Sequence, residues 1–216
     1  MTEVVIASAA RTPIGRFQGT LSSFTAPQLG AIAARAALER AGVAPDQVNE
    51  VIMGNVLGAG LGQAPARQVL RAAGIPDAVP AVTINKVCGS GLQAVMLAAQ
   101  AIKCGDADVV LAGGMESMTN APYIVPSARD GMRLGHAKIL DSMVSDGLWD
   151  PYYDMHMGNT GEAVCTEYNL SCTIDGSKMG STKKLKTDAR IGLYLANARV
   201  SLMQFKLRGT VDTSKL

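Results

Sequence analysis

Pro80-Ala81-Val82-Thr83-Ile84-Asn85-Lys86-Val87 leads into Cys88-Gly89-Ser90-Gly91 and then into Leu92-Gln93-Ala94-Val95-Met96-Leu97. A β-branched run bounded by proline predicts a strand from Pro80 to Val87, and the unbranched run that follows predicts a helix from Gly91 to Lys103. The turn between them places the Cys88 thiol at a helix N-terminus. There, unpaired backbone N–H groups and the positive end of the helix dipole favour negative charge, and thiols in such positions commonly titrate below the free value of about 8.5. Gly89 and Gly91 leave the sulfur unshielded, so a bulky acyl or thioester group can approach the backbone. An isolated cysteine is more often a small buried residue; this setting argues for a nucleophile.

Outward from that junction the chain alternates strands and helices. Val4 to Ala9 reads as a buried strand. Thr25 to Gln28 matches a capping box, opening a helix with an apolar face of Leu29, Ile32, Ala33, Ala36 and Ala37 and a stop at Gly42. Val48 to Leu57 is the next strand, Pro65 to Ala73 a short helix closed by Gly74, and Val109 to Leu111 the last strand. The helix after Cys88 carries small or apolar residues on nearly every side, which predicts burial on most faces. The series βαβαβαβ implies an α/β fold, a mostly parallel sheet between helices. Gly58-Ala59-Gly60-Leu61-Gly62-Gln63 lies between a strand and a helix, but Gln63 replaces the third glycine of a dinucleotide fingerprint and no acidic residue follows at the required distance. A tight turn suffices.

Asn85-Lys86-Val87-Cys88-Gly89-Ser90-Gly91-Leu92 resembles the acylated-cysteine motif of the thiolases, in the form typical of biosynthetic acetyl-CoA acetyltransferases. Other stretches agree in order and spacing from Met1 to about Tyr168: Ser8-Ala9-Ala10-Arg11-Thr12-Pro13, Gly62-Gln63-Ala64-Pro65-Ala66-Arg67-Gln68, Ala112-Gly113-Gly114-Met115-Glu116-Ser117-Met118, Asp146-Gly147-Leu148-Trp149-Asp150, and His156-Met157-Gly158-Asn159-Thr160-Gly161-Glu162. Gly161 departs from the alanine usual in the family and weakens a helix start. The resemblance implies a thiolase half-domain and acetyl transfer between coenzyme A thioesters, two acetyl-CoA giving acetoacetyl-CoA and coenzyme A reversibly, through an acyl-cysteine on Cys88. The backbone N–H of Cys88 would contribute to an oxyanion hole. It also implies coenzyme A thioesters as substrates with no further cofactor, a homo-oligomer (dimer or tetramer), and His156 and Met157 lining the substrate pocket. Read alone, His156 between methionines is an ordinary core or interface histidine, Met157 a space filler, and His136 a solvated residue.

Three regions follow: an α/β core over 1–114, a loop excursion over 115–168 serving subunit contact and pocket, and an atypical, poorly ordered basic tail over 169–216. The excursion has no clear periodicity, and stretches of that length are usually functional; Tyr123, Trp149, Tyr152 and Tyr153 suggest packing. Residues 1–168 hold 11 Lys and Arg against 15 Asp and Glu, whereas 169–216 hold 9 against 3, so the net charge of +2 comes entirely from the tail. Thiolases of this type continue for nearly as long again, with a second half-domain, an activating histidine and a second cysteine. The chain is therefore expected to be a truncated or frame-shifted product, inactive alone; the alternatives are an assembly subunit or a coenzyme A-binding module.

The 48% hydrophobic and 18% charged composition fits one good core. Cysteines 88, 104, 165 and 172 form no C-x-x-C pair and no metal-ligand spacing with the two histidines, so reduced thiols without zinc are expected. The composition gives no sign of a nucleic-acid partner. No basic n-region precedes Val4, and the run from Leu92 to Ile102 reads as too short for a bilayer, so neither signal peptide nor membrane helix is expected. The expected compartment is the cytoplasm; the C-terminal Ser214-Lys215-Leu216 resembles a peroxisomal address and leaves that as the alternative.

Overall fold

The computed structural model describes residues 3–168. The basic tail from 169 onward, with Cys172, lies outside them. The chain divides into two compact units, Met1–Gly147 and Leu148–Leu216.

The first unit is built on a parallel sheet of β1 (Glu50–Gly54), β2 (Ala81–Ile84) and β3 (Val110–Gly114), in the order β2-β1-β3. Val51 pairs with Ala81 on one side and with Leu111 on the other. Asn49 sets the start of the second ladder, its Oδ1 accepting from the N–H groups of Asp108 at 2.9 Å and Val109 at 2.8 Å. Because strand side chains alternate, Val51 and Met53 join the core formed with α1 (Ala26–Ala41) and α2 (Pro65–Ala72), while Ile52 packs with Ala94 and Ala98 of α3 (Ser90–Cys104). The expected α/β sheet between helices is therefore present.

The ends of α1 follow the sequence closely. Thr25 N–H donates to Gln28 Oε1 at 2.8 Å and Gln28 N–H to Thr25 Oγ1 at 3.4 Å, and Gly42 closes the helix in the left-handed region. Its buried face differs from the expected one: Pro27, Gly30, Ala31, Ala34 and Leu38 face the core, and Ile32 is exposed. Gly30 is chosen by close approach, since a Cβ there would come within 2.9 Å of Met115 Sδ and 3.0 Å of Val69 Cγ2.

Two expectations are corrected. Val4 to Ala9 forms no strand, and Val5 and Ile6 are 72% and 78% exposed. Among the described residues the segment joins neither outer edge of the sheet and is tied to α1 by Ser8 Oγ donating to Ala37 O and Arg40 donating to Ala9 O. Helix α3 buries only the stripe Ser90, Ala94 and Ala98 against the sheet; Leu92 is 69% exposed and Met96 48%. A helix on one face of a sheet has one covered side, whatever its composition. The stretch Val87–Cys104 is long and apolar enough by length and composition alone to cross a membrane, but its first three residues belong to the Cys88 turn and the 15-residue helix packs Ala94 and Ala98 on Ile52 of the sheet.

The excursion holds short elements that no periodicity announces. In the first unit β4 (Tyr123–Ile124) pairs antiparallel with β5 (Leu140–Asp141), followed by α4 (Ser142–Gly147). In the second, β6 (Trp149–Asp150) pairs with β7 (Met155–His156), leading into α5 (Met157–Glu167). Gly161 lies inside α5 without breaking it. Tyr152 and Tyr153, expected as packing residues, are exposed at the turn of this hairpin.

Candidate active site

Cys88 stands, exposed, between the C-terminal end of β2 and the first residue of α3. The turn that carries it is held from both sides by Ser90. The Ser90 hydroxyl accepts from Lys86 N–H at 2.8 Å and donates to Val87 O at 2.6 Å, and the side chain is buried. Val87 sits at φ 48°, a conformation costly for a β-branched residue. It is fixed there by its N–H donating to Asn85 Oδ1 at 2.8 Å, together with the Ser90 bond to its carbonyl. Such strain persists only where surrounding bonds over-determine it, and here they converge on the residue before the thiol. Gly89 and Ser90 use their N–H groups within the turn, on Lys86 O and Val87 O, both at 3.1 Å. The backbone at Lys86 and Cys88 forms an isolated bridge, which holds the turn on the other side of Val87.

The helix behind the turn is seated on glycine. A Cβ on Gly54 would lie 2.6 Å from the backbone carbon of Ser90 and 2.7 Å from Gly91 N, and one on Gly114 would lie 3.1 Å from Gly91 Cα. The N-terminus of α3 thus rests directly on the C-terminal ends of β1 and β3. Ligand sites in parallel α/β sheets lie at these strand ends. Lys86 Nζ donates to Gln93 Oε1 at 3.0 Å alongside. Among the described residues no group of His, Cys, Asp and Glu is arranged to hold a metal.

Cys104 is the last residue of the same 15-residue helix and is also exposed. The two thiols therefore sample opposite ends of one dipole, with flanking exposure in common. At neutral pH Cys88 should take iodoacetamide roughly tenfold faster than Cys104, the helix ends differing by about 1–2 kcal/mol in their effect on a negative charge. Peptide mapping after brief labelling reads both rates in one sample. Equal rates would remove the activation of Cys88.

His156 and Met157 belong to the second unit. His156 is the N-cap of α5, its Nδ1 accepting from Gly158 N–H at 3.0 Å. That bond accounts for the residue locally: it satisfies one free donor of the first turn and leaves Nε2 as the protonated nitrogen. Met157, the first residue of α5, is 40% exposed. His136 is exposed, as expected. The sequence reading missed Glu116, Asn55 and Ser90. For Glu116 a signal existed, a carboxylate two residues past the end of an apolar strand, Val110–Gly114.

A family profile of the thiolase N-terminal domain matches residues 4–174. An acetyl-CoA acetyltransferase of Cupriavidus necator is 56% identical over 195 residues, which is 90% of this chain and 50% of that protein. One from Pseudomonas aeruginosa is 56% identical over 171 residues, 79% of this chain and 44% of its own length. The crystal structure of a thiolase from Ascaris suum in complex with coenzyme A superposes with a TM-score of 0.76 at 41% identity, covering 79% of this chain and 44% of that one. The chain thus spans about half the length of the curated relatives it matches. The 195-residue match necessarily runs past Tyr168, where the quoted motifs end. From the profile match and these identities, the chain belongs to the thiolase family.

Proposed function

We propose that this chain carries the acyl-accepting nucleophile of an acetyl-CoA acetyltransferase reaction. One observation supports the reading above all: an exposed cysteine at the N-terminus of α3, in a turn locked by Ser90 and strained at Val87. In the first step Cys88 Sγ, as thiolate, attacks the thioester carbon of acetyl-CoA. The carbonyl oxygen becomes an oxyanion facing the Cys88 N–H, the bond to coenzyme A sulfur breaks, and coenzyme A leaves as a thiolate that takes up a proton. In the second step the α-carbon of another acetyl-CoA, having lost a proton to a base, attacks the acetyl-cysteine. Acetoacetyl-CoA forms and Sγ is released. One thioester replaces another in the first step, so little driving force is needed and rate depends on positioning and on the oxyanion contact.

The proposed substrates are acetyl-CoA and acetoacetyl-CoA. His156 and Met157 are proposed to border the acyl-pantetheine path, and the whole enzyme to be a homo-oligomer acting in the cytoplasm. Incubating the purified chain with isotopically labelled acetyl-CoA and mapping peptides by mass tests the first step alone. An acetyl group on the peptide bearing Cys88, removed by added coenzyme A, is the expected result. Acetylation spread evenly over exposed cysteines and lysines would sink the reading.

A further inference from the structure

The loop that follows β1 and the loop that follows β3 are joined by one carboxylate. Glu116 Oε1 accepts from Asn55 Nδ2 at 2.7 Å and from Leu57 N–H at 3.1 Å, and Oε2 accepts from Val56 N–H at 2.9 Å. Asn55, itself buried, also donates to Met115 O at 3.3 Å and, through its N–H, to Ile84 O at 3.0 Å, while Met115 N–H donates to Gly54 O at 2.9 Å. These bonds fasten together the C-terminal ends of all three strands. The same ends carry Gly54 and Gly114, the two surfaces on which Ser90 and Gly91 rest.

We propose that Glu116 is a positioning residue of the Cys88 turn: by fixing the loop after β1 against the end of β3, it sets the seat of the α3 N-terminus and hence the place of the thiol. A surface brace needs no set of three donors, and Glu116, half-buried, has them. Burial pushes its carboxyl above the usual carboxylate range, while the N–H groups of Val56 and Leu57 and the Asn55 amide act the other way. Keeping a half-buried carboxylate where an apolar residue would pack more simply is costly. The cost is intelligible if the bond geometry at Gly54 must be exact. The assignment rests on Cys88 being the nucleophile, but its test uses alkylation and not acyl transfer, so failure of the acetyl-CoA experiment and failure of this one are separate results.

In Glu116→Gln the side chain keeps its size, but an NH2 group replaces one acceptor oxygen and meets a backbone or amide N–H donor to donor. The measurement is the rate of iodoacetamide labelling of Cys88 divided by that of Cys104 in the same full-length chain at neutral pH, with the urea unfolding midpoint followed in parallel. The expected result is a ratio reduced about fivefold or more at neutral pH, in a chain that still unfolds cooperatively. Glu116→Asp, which keeps the charge, should recover part of the ratio. An unchanged ratio in a folded E116Q chain overturns the proposal. So does an E116Q chain in which both cysteines react alike because the sheet is lost, since Glu116 would then support the fold as a whole and not the turn.

Discussion

A Cys88→Ala chain mixed with a separately expressed C-terminal half of a similar acetyl-CoA acetyltransferase should cleave acetoacetyl-CoA at least about a thousandfold more slowly than the same mixture made with the native chain. In the proposed mechanism Sγ is the acceptor of the acetyl group, and without it the other groups of the site have nothing to activate. The native chain by itself should give no appreciable turnover. Among the described residues no base is hydrogen-bonded to Cys88, whereas cleavage of acetoacetyl-CoA requires a base to free the attacking thiolate and an acid to protonate the departing acetyl-CoA carbanion. Members of a catalytic unit are strongly non-additive, so lacking one commonly costs nearly as much as lacking several. Cleavage of acetoacetyl-CoA is followed by the loss of its enolate absorbance. Robust turnover by the native chain alone would show that its own residues complete the site, and an active Cys88→Ala mixture would move the nucleophile elsewhere.

The largest expected loss of stability comes from one methyl group. Gly54→Ala should cost about 3 kcal/mol, at the upper end for overpacking. The new Cβ would lie 2.6 Å from both the carbonyl carbon and the Cβ of Ser90 and 2.7 Å from Gly91 N. These are largely backbone atoms that no rotamer change can withdraw. Nor can the helix simply lift: its buried stripe of Ala94 and Ala98 is packed on Ile52, and Gly91 lies against Gly114. Gly113→Ala is the matched control, on the adjacent strand, where the nearest atoms are Met53 Cε and Sδ at 3.8 Å. It should change stability by less than about 1 kcal/mol. Urea unfolding of the three chains gives the comparison through their midpoints at constant slope. Equal costs for the two variants would mean that the seat of α3 yields more easily than its close contacts indicate.

What could be read from the sequence was local. Thr25 and Gln28 announce a helix start because their side chains bond to backbone groups three residues away, and Gly42 announces its end because only a residue tolerant of the left-handed region fits there. The turn at Cys88 was legible for the same reason. Partners distant in sequence were not. Val4 to Ala9 has the composition of a strand, but composition does not say whether a ladder edge is free beside it. The exposed side of α3, with Leu92 and Met96, looks in sequence like the covered side. His156 caps α5 through its bond to Gly158 N–H, a local role that the resemblance did not announce, while its place on the substrate path stays a proposal. The contacts of Glu116 with Asn55, Val56 and Leu57 span some sixty residues of chain, beyond any periodicity.

The order β2-β1-β3 puts the earliest-made strand of this sheet in the middle of it. During synthesis β1 emerges with both edges bare, about thirty residues before β2 and about sixty before β3 are available. Closing the longer loop is only about 0.6 kcal/mol harder than closing the shorter, since loop entropy grows logarithmically. The wait, and not the loop entropy, is then the main exposure of β1: Val51, Ile52 and Met53 stay open to other chains until Val110–Gly114 leaves the ribosome. Once the second ladder forms, β1 is the one strand of this sheet bonded on both sides, and its amides should be the last of the three to exchange with solvent deuterium.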